Sequence, residues 1–218
     1  MFELFSFCFL MYIHEKLFQV KKVHKSAKKI ILFCKLLVSL RKQIKFKMAL
    51  IMSVRGFSPE MGENCWLAPN ATVVGNVIMG KNCTVWFNAV VRGDVHEIRI
   101  GDDTNIQDGA VIHATYEKAG TYIGNKVSIA HNAIVHGCTI HDNVLIGMGA
   151  IVMDNAVVHS GAVIAAGAVV LAGAIVEANS IYAGTPAKKI KATGPEMEAV
   201  IERTAKNYPM YATWFKEE

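Results

Sequence analysis

The sequence holds no Cys-x-x-Cys pair, and its five cysteines are an odd number. Together these facts argue against a disulfide framework and against a cysteine zinc knuckle. Nor is there an apolar run of the roughly 18–20 residues that a membrane span requires. The two candidate runs, residues 1–13 and 30–40, are short and are broken by Glu3 and Lys35. A secretory signal is basic first and apolar afterwards, ending on small residues. Here the apolar run comes first.

Surplus basic charge is also absent from most of the chain. Residues 1–47 carry 11 Lys/Arg against Glu3 and Glu15, a net of +9, while residues 48–218 hold 12 basic and 16 acidic residues, a net of −4. The overall balance of +5 therefore belongs to the first segment, and a nucleic-acid partner is not expected. Residues 1–47 can be read as a basic amphipathic helix lying on a membrane surface. The simpler reading is that translation starts at Met48 or Met52 and that 1–47 is not part of the functional fold. What remains is then a mildly acidic cytoplasmic domain with no membrane partner.

What is abundant is a six-residue repeat, the kind of self-similarity that marks stacked architectures. Aliphatic residues recur at Leu67, Val73, Met79, Val85 and Val91. After a three-residue insertion they resume at Ile100, Ile106 and Ile112, and after a longer loop at Ile123, Ile129 and Val135. One residue is then dropped, and Ile140, Ile146, Val152, Val158, Ile164, Val170 and Val176 follow without interruption. Two residues before them runs a mostly small column, including Cys65, Ala71, Cys83, Ala89, Ala110, Ala133, Cys138 and Ala150. An amphipathic helix needs three- and four-residue spacings, and a simple strand would alternate without turning. Two inward residues followed by a corner make one side of a β-solenoid. Three sides close a triangular coil, so these 18 units make about six coils, with the three cysteines as core packing residues.

The pattern resembles the left-handed hexapeptide-repeat family. That resemblance supplies the handedness: an all-β solenoid, a left-handed parallel β-helix over 48–190, with a C-terminal helical segment over 191–218. Thr193-Gly194-Pro195-Glu196 reads as a helix start. Met197, Val200 and Ile201 form an apolar face for packing on the solenoid, and Pro209 is expected to break or kink the helix.

The register also stacks side chains. Arg92, His113 and His136 each follow the aliphatic residue of one face on successive coils, about 4.8 Å apart, so the two imidazoles can share one metal ion. Asp108 and His131 stack on another face, so a single chain would struggle to bring all three histidines to one ion. A three-fold homotrimer would set the His131 face of one subunit against the paired face of the next. Against this stands the ordinary reading of a surface histidine as solvated polarity. It is applied to His14, His24, His96, His141 and His159, the last two being read as lacking matched partners on the next coil.

Arg92-Gly93-Asp94, Asn105-Ile106-Gln107-Asp108-Gly109, His113 and His131-x4-His136-Gly137 resemble the signature of gamma-class carbonic anhydrases and their homologues, over residues 49–218. The resemblance implies zinc held by His113 and His136 of one subunit and His131 of its neighbour, with iron or cobalt as alternatives. It implies inter-subunit pairing and support from Arg92, Asp94 and Asp108, and places Asn105, Gln107 and Tyr208 near the metal-bound solvent. The implied reaction is reversible hydration of carbon dioxide, a small-molecule substrate, by metal-bound hydroxide formed from a water whose pKa falls to about 7. One departure weakens the case for fast turnover: Val95 stands where an acidic residue would be expected, and the 114–120 loop offers only Glu117, beside Lys118. The rival enzyme readings are a coenzyme A-dependent acyl- or acetyltransferase and a metal-dependent thioesterase. A metal-stabilised trimer without catalysis is the third class.

Overall fold

The computed structural model describes residues 48–215; the expectations for residues 1–47 lie outside it. Within that range the repeat becomes a parallel β-solenoid with three faces. On the first, Trp66–Leu67, Thr84–Val85, Asn105–Ile106, Ser128–Ile129, Leu145–Ile146, Val163–Ile164 and Ser180–Ala183 pair in that order. An antiparallel strand, Lys188–Ala192, closes this sheet. On the second face Val90–Ile100, Val111–His113, Ile134–His136, Ile151–Val152 and Val169–Val170 follow one another, and on the third Thr121–Ile123, Thr139–Ile140, Val157–Val158 and Ile175–Val176. The longer strands Thr72–Met79 and Val90–Ile100 serve both the second and third faces, and their pairing shifts register between Gly75 and Val77. Leu50–Met52 and Glu60–Met61 add an incomplete coil ahead of Leu67.

The core is the aliphatic column itself. Ile106, Ile112, Ile129, Val135, Ile146 and Val152 have no exposed surface, and the small column beside them (Ala89, Ala110, Ala133, Ala150) is equally enclosed. Small residues are required because three walls converge on one axis at native packing density. Cys83 and Cys138 are buried there and Cys65 is half-buried. Burial pushes the Cys138 thiol up to about 12, which removes it from thiolate chemistry.

Corners need left-handed backbone. One stack of corners places Asn64, Asn82, Asp103, Lys126, Asn143 and Asn179 at φ between 50° and 60°, a region that Asn and Asp tolerate better than most residues. Gly124, next to the aliphatic Ile123, answers a different need. A Cβ there would lie 2.3 Å from Asp142 Oδ1, the atom that accepts the Asn125 backbone N–H at 2.7 Å. The glycine lets one coil's carboxylate cap the backbone of the coil before.

Helix α1 (Pro195–Thr213) opens with Pro195 behind the N-cap Gly194, with Glu196 and Glu198 in its first turn, where the helix dipole favours negative charge. Ile201 is buried against Val163 and Ile181, with Met197 beside them. The helix lies on the first face, so that outward-pointing Thr84, Asn105, Gln107 and Ser128 become buried. Of the two outcomes expected at Pro209, a break or a kink, the break does not occur: the helix continues through Pro209 to Thr213. The proline removes one backbone donor, but rings on both sides of it are anchored. Tyr208 lies 5.2 Å from Trp86, and Phe215 lies 5.3 Å from Trp66. Among the described residues no helix is long and apolar enough to cross a membrane.

Candidate metal centre

Register pairing sets His136 opposite His113, Val135 opposite Ile112 and Ile134 opposite Val111. The 114–120 loop therefore leaves the stacking of the second face intact. The two imidazoles have centroids 5.1 Å apart with planes inclined by 63°, and His113 Nδ1 lies 3.1 Å from His136 Nε2.

Each ring is held from its other nitrogen. Asp94 Oδ1 sits 3.1 Å from His113 Nε2, and Asp154 Oδ1 sits 2.5 Å from His136 Nδ1. Burial raises the pKa of both carboxyls, but the bonds received outweigh it. Those from Arg92 and His113 bring Asp94 below the ordinary range, and those from Thr115 and His136 do the same for Asp154. Burial also drives the His113 pKa down, with the hydrogen bond to Asp94 opposing it. His113 is thus a neutral imidazole at neutral pH. An ionised carboxylate only accepts, so His113 carries its proton on Nε2 and His136 on Nδ1. The two remaining ring nitrogens, His113 Nδ1 and His136 Nε2, then face each other across 3.1 Å. That separation is close to the spacing of two ligands each about 2.0–2.1 Å from one zinc ion. A pair of imidazole nitrogens, each ring backed by a carboxylate, is the arrangement metal-binding histidines adopt.

His131 repeats the motif on the first face. Its Nδ1 lies 3.0 Å from Asp108 Oδ2, and its Nε2 is 3.4 Å from the Tyr208 hydroxyl. Burial, with the nearby Asp108 charge, lifts the Tyr208 phenol to about 12, so it stays a neutral donor. The structure does not bring His131 to the other pair: among the described residues no three His, Cys, Asp or Glu of one chain converge on a common point.

The supporting residues divide in the same way. Arg92 Nη1 donates to Asp94 Oδ2 at 2.5 Å within the chain. On the first face Gln107 Nε2 donates to Asn105 Oδ1 at 3.0 Å, and Asn105 Nδ2 donates to Ser128 Oγ at 2.8 Å. This buried chain commits the Gln107 amide nitrogen and leaves its Oε1 as the free acceptor. Glu117 is exposed and, with Asp94 and His96, lines a cavity of about 240 Å³.

One expectation is overturned. His141 and His159 do have matched partners on the next coil, namely each other: the rings stack at 5.1 Å with planes only 4° apart. They are 18 residues apart with no insertion between, one full coil. Sequence reasoning also missed Asp154, Thr115 and Ser128. Asp154 was detectable in part, since it stands two residues after Val152, which pairs with Val135.

Comparison with known proteins identifies the fold and the family. The hexapeptide family, described as "Bacterial transferase hexapeptide (six repeats)", matches residues 58–93 and 137–172. A hexapeptide transferase family protein from Anaplasma phagocytophilum superposes with a TM-score of 0.73 at 37% identity, covering 76% of this chain and 98% of that one. The solenoid is thus a left-handed β-helix of hexapeptide repeats. The "Probable carbonic anhydrase" of Methanocaldococcus jannaschii is 47% identical over 148 residues, covering 68% of this chain and 92% of that protein. "Gamma carbonic anhydrase 2, mitochondrial" of Arabidopsis thaliana is 36% identical over 163 residues, 72% of this chain, and the match spans only 59% of that protein's length. The chain belongs to the gamma-class carbonic anhydrase-like family.

Proposed function

We propose that the chain is a zinc-dependent carbonic anhydrase-like enzyme that hydrates carbon dioxide reversibly to bicarbonate, working as a homotrimer with each metal site shared by two subunits. The observation that carries this reading is the approach of His113 Nδ1 to His136 Nε2 at 3.1 Å, each ring backed by a carboxylate. A third carboxylate-backed histidine, His131, stands on a different face.

His113 and His136 of one subunit and His131 of the next would hold the ion. Bound there, zinc supplies a Lewis acid that lowers the pKa of a coordinated water to about 7. Asp94, Asp154 and Asp108 orient the three imidazoles and keep a lone pair free on each. Gln107 lies on the His131 face one coil earlier, and its Oε1 is the acceptor available to orient a solvent hydroxyl in the cleft between subunits. A column of aliphatic side chains runs beside the histidine pair: Val90, Val111, Ile134, Ile151 and Val169 stack in register on the outer surface. Such a strip suits burial against a second copy of the chain. Turnover is expected to be modest, because no acidic side chain follows Asp94 and Glu117 stands on the exposed loop.

The test is metal analysis of the purified full chain together with a stopped-flow carbon dioxide hydration assay. Near-stoichiometric zinc, lost in His131→Ala while the oligomer persists, supports the reading. Stoichiometric zinc in that variant refutes the shared site. The likeness to a hexapeptide transferase family protein of Anaplasma phagocytophilum keeps group transfer as a second reading, with coenzyme A-dependent acyl transfer as its form here. Tight coenzyme A binding without bound metal would establish that one instead.

A further inference from the structure

Asp154 belongs to the coil after His136, and its two oxygens have separate tasks. Oδ1 faces His136 Nδ1 at 2.5 Å, and Oδ2 accepts the hydroxyl proton of Thr115. Thr115 opens a tight loop that it closes by pairing with Ala119. Just beyond the loop, buried Thr121 donates its hydroxyl to the His113 carbonyl and accepts the Gly137 N–H at 2.9 Å. One short loop is therefore tied to both strands that carry the paired histidines. The residue after His136 makes room for this: a Cβ on Gly137 would lie 2.5 Å from Asp154 Oδ1.

Resting on the metal-centre reading above, we propose that Asp154, held by Thr115, is a positioning residue that selects the Nδ1–H tautomer of His136 and so keeps the paired nitrogens open to a metal ion. The alternative tautomer shows why selection matters. A histidine with no acceptor at Nδ1 favours the proton on Nε2. Here that proton would be donated to His113 Nδ1, 3.1 Å away, and the internal hydrogen bond would consume both nitrogens that the metal requires. The carboxylate removes this closed state by giving the proton a better acceptor on the far side of the ring. Thr115 occupies the second oxygen and fixes which one His136 receives.

The experiment reads tautomers directly, by two-bond ¹H–¹⁵N correlation of the metal-free full chain at pH 8, with circular dichroism as the check on folding. Wild type is expected to show protonated Nδ1 and bare Nε2 at His136. Asp154→Ala should reverse that pattern and weaken zinc binding, measured against a chelator, by about 10–100-fold. Asp154→Asn, which keeps an acceptor oxygen, should restore the wild-type tautomer, and the gentler Thr115→Val should give a mixture of the two. Retention of the Nδ1–H tautomer in both Asp154→Ala and Thr115→Val would overturn the proposal, as would zinc affinity in Asp154→Ala within threefold of wild type. Failure of the wild type to bind zinc would refute the metal-centre reading alone, because the tautomer pattern is read without metal.

Discussion

Mixing two defective variants tests the shared site most directly. His131→Ala loses the proposed ligand on the first face and keeps the histidine pair on the second; His113→Ala does the reverse. Neither homo-oligomer can then assemble three histidines at any interface. In a mixed oligomer one class of interface is complete: His131 comes from a His113→Ala subunit, and the intact pair comes from a His131→Ala subunit. With equal amounts and random assortment each condition holds half the time, so about one quarter of the interfaces regain all three ligands. Co-expression with two affinity tags, followed by zinc analysis and carbon dioxide hydration, measures that fraction. The expected result is zinc and activity near one quarter of wild type from two parents that individually lie at baseline. A mixture that stays at baseline while mass measurement shows mixed oligomers would refute the shared arrangement, because a site within one chain cannot be complemented.

Ile112, the strand residue before His113, is fully buried, so Ile112→Ala should lower unfolding free energy by about 2–5 kcal/mol in urea titration. Gly124→Ala puts a Cβ 2.3 Å from Asp142 Oδ1 and 2.8 Å from its backbone N, and should cost about 1–3 kcal/mol as overpacking. Gly194→Ala meets no clash, since nothing lies within 4 Å, and should cost at most about 1 kcal/mol, through replacement of a favoured N-cap residue. In the metal-free protein, stability should rise with pH from the depressed His113 pKa up to its ordinary value of 6.5, because only the unfolded chain binds that proton there. His113→Gln should flatten this window. A second decline is expected at acid pH. The depressed Asp94 and Asp154 carboxyls contribute stability fully above their ordinary 3.8, and the contribution is lost as pH falls through their lower folded values. Thermal denaturation across pH 2–8 checks both.

The solenoid was legible in the sequence because its period is carried by the core, and a buried column tolerates little variation in size or polarity. The stacking of His113 on His136 and of Asp108 by His131 follows from counting, since strands in a coil have fixed register. The same counting sufficed for His141 and His159, which stand one uninterrupted coil apart. Asp154 was harder. Its face could be counted, but its reach back to His136 depends on the space left by Gly137 and on the hydroxyl of Thr115, neither of which is periodic. The continuity of α1 through Pro209 was hidden for another reason. Local helix chemistry opposes it, and what sustains it is aromatic packing on Trp66 and Trp86, residues more than 100 positions away.

The two stacked histidine pairs show what the fold contributes and what it leaves to side chains. Both occupy the position after an aliphatic core residue on neighbouring coils, and both have ring centroids 5.1 Å apart. The ladder therefore supplies proximity equally to each. At His141 and His159 the planes are 4° apart, and parallel rings at that separation hold equivalent nitrogens too far apart for one ion, whose ligands each lie about 2.0–2.1 Å away. At His113 and His136 the planes are inclined by 63° because Asp94 and Asp154 grip the rings from opposite sides, and the free nitrogens are brought to 3.1 Å. Convergence of the two nitrogens, on which the proposed metal site depends, goes with the carboxylates that hold the rings. A histidine ladder on a β-helix thus becomes a candidate metal centre only where acidic residues on adjacent coils turn the rings toward each other.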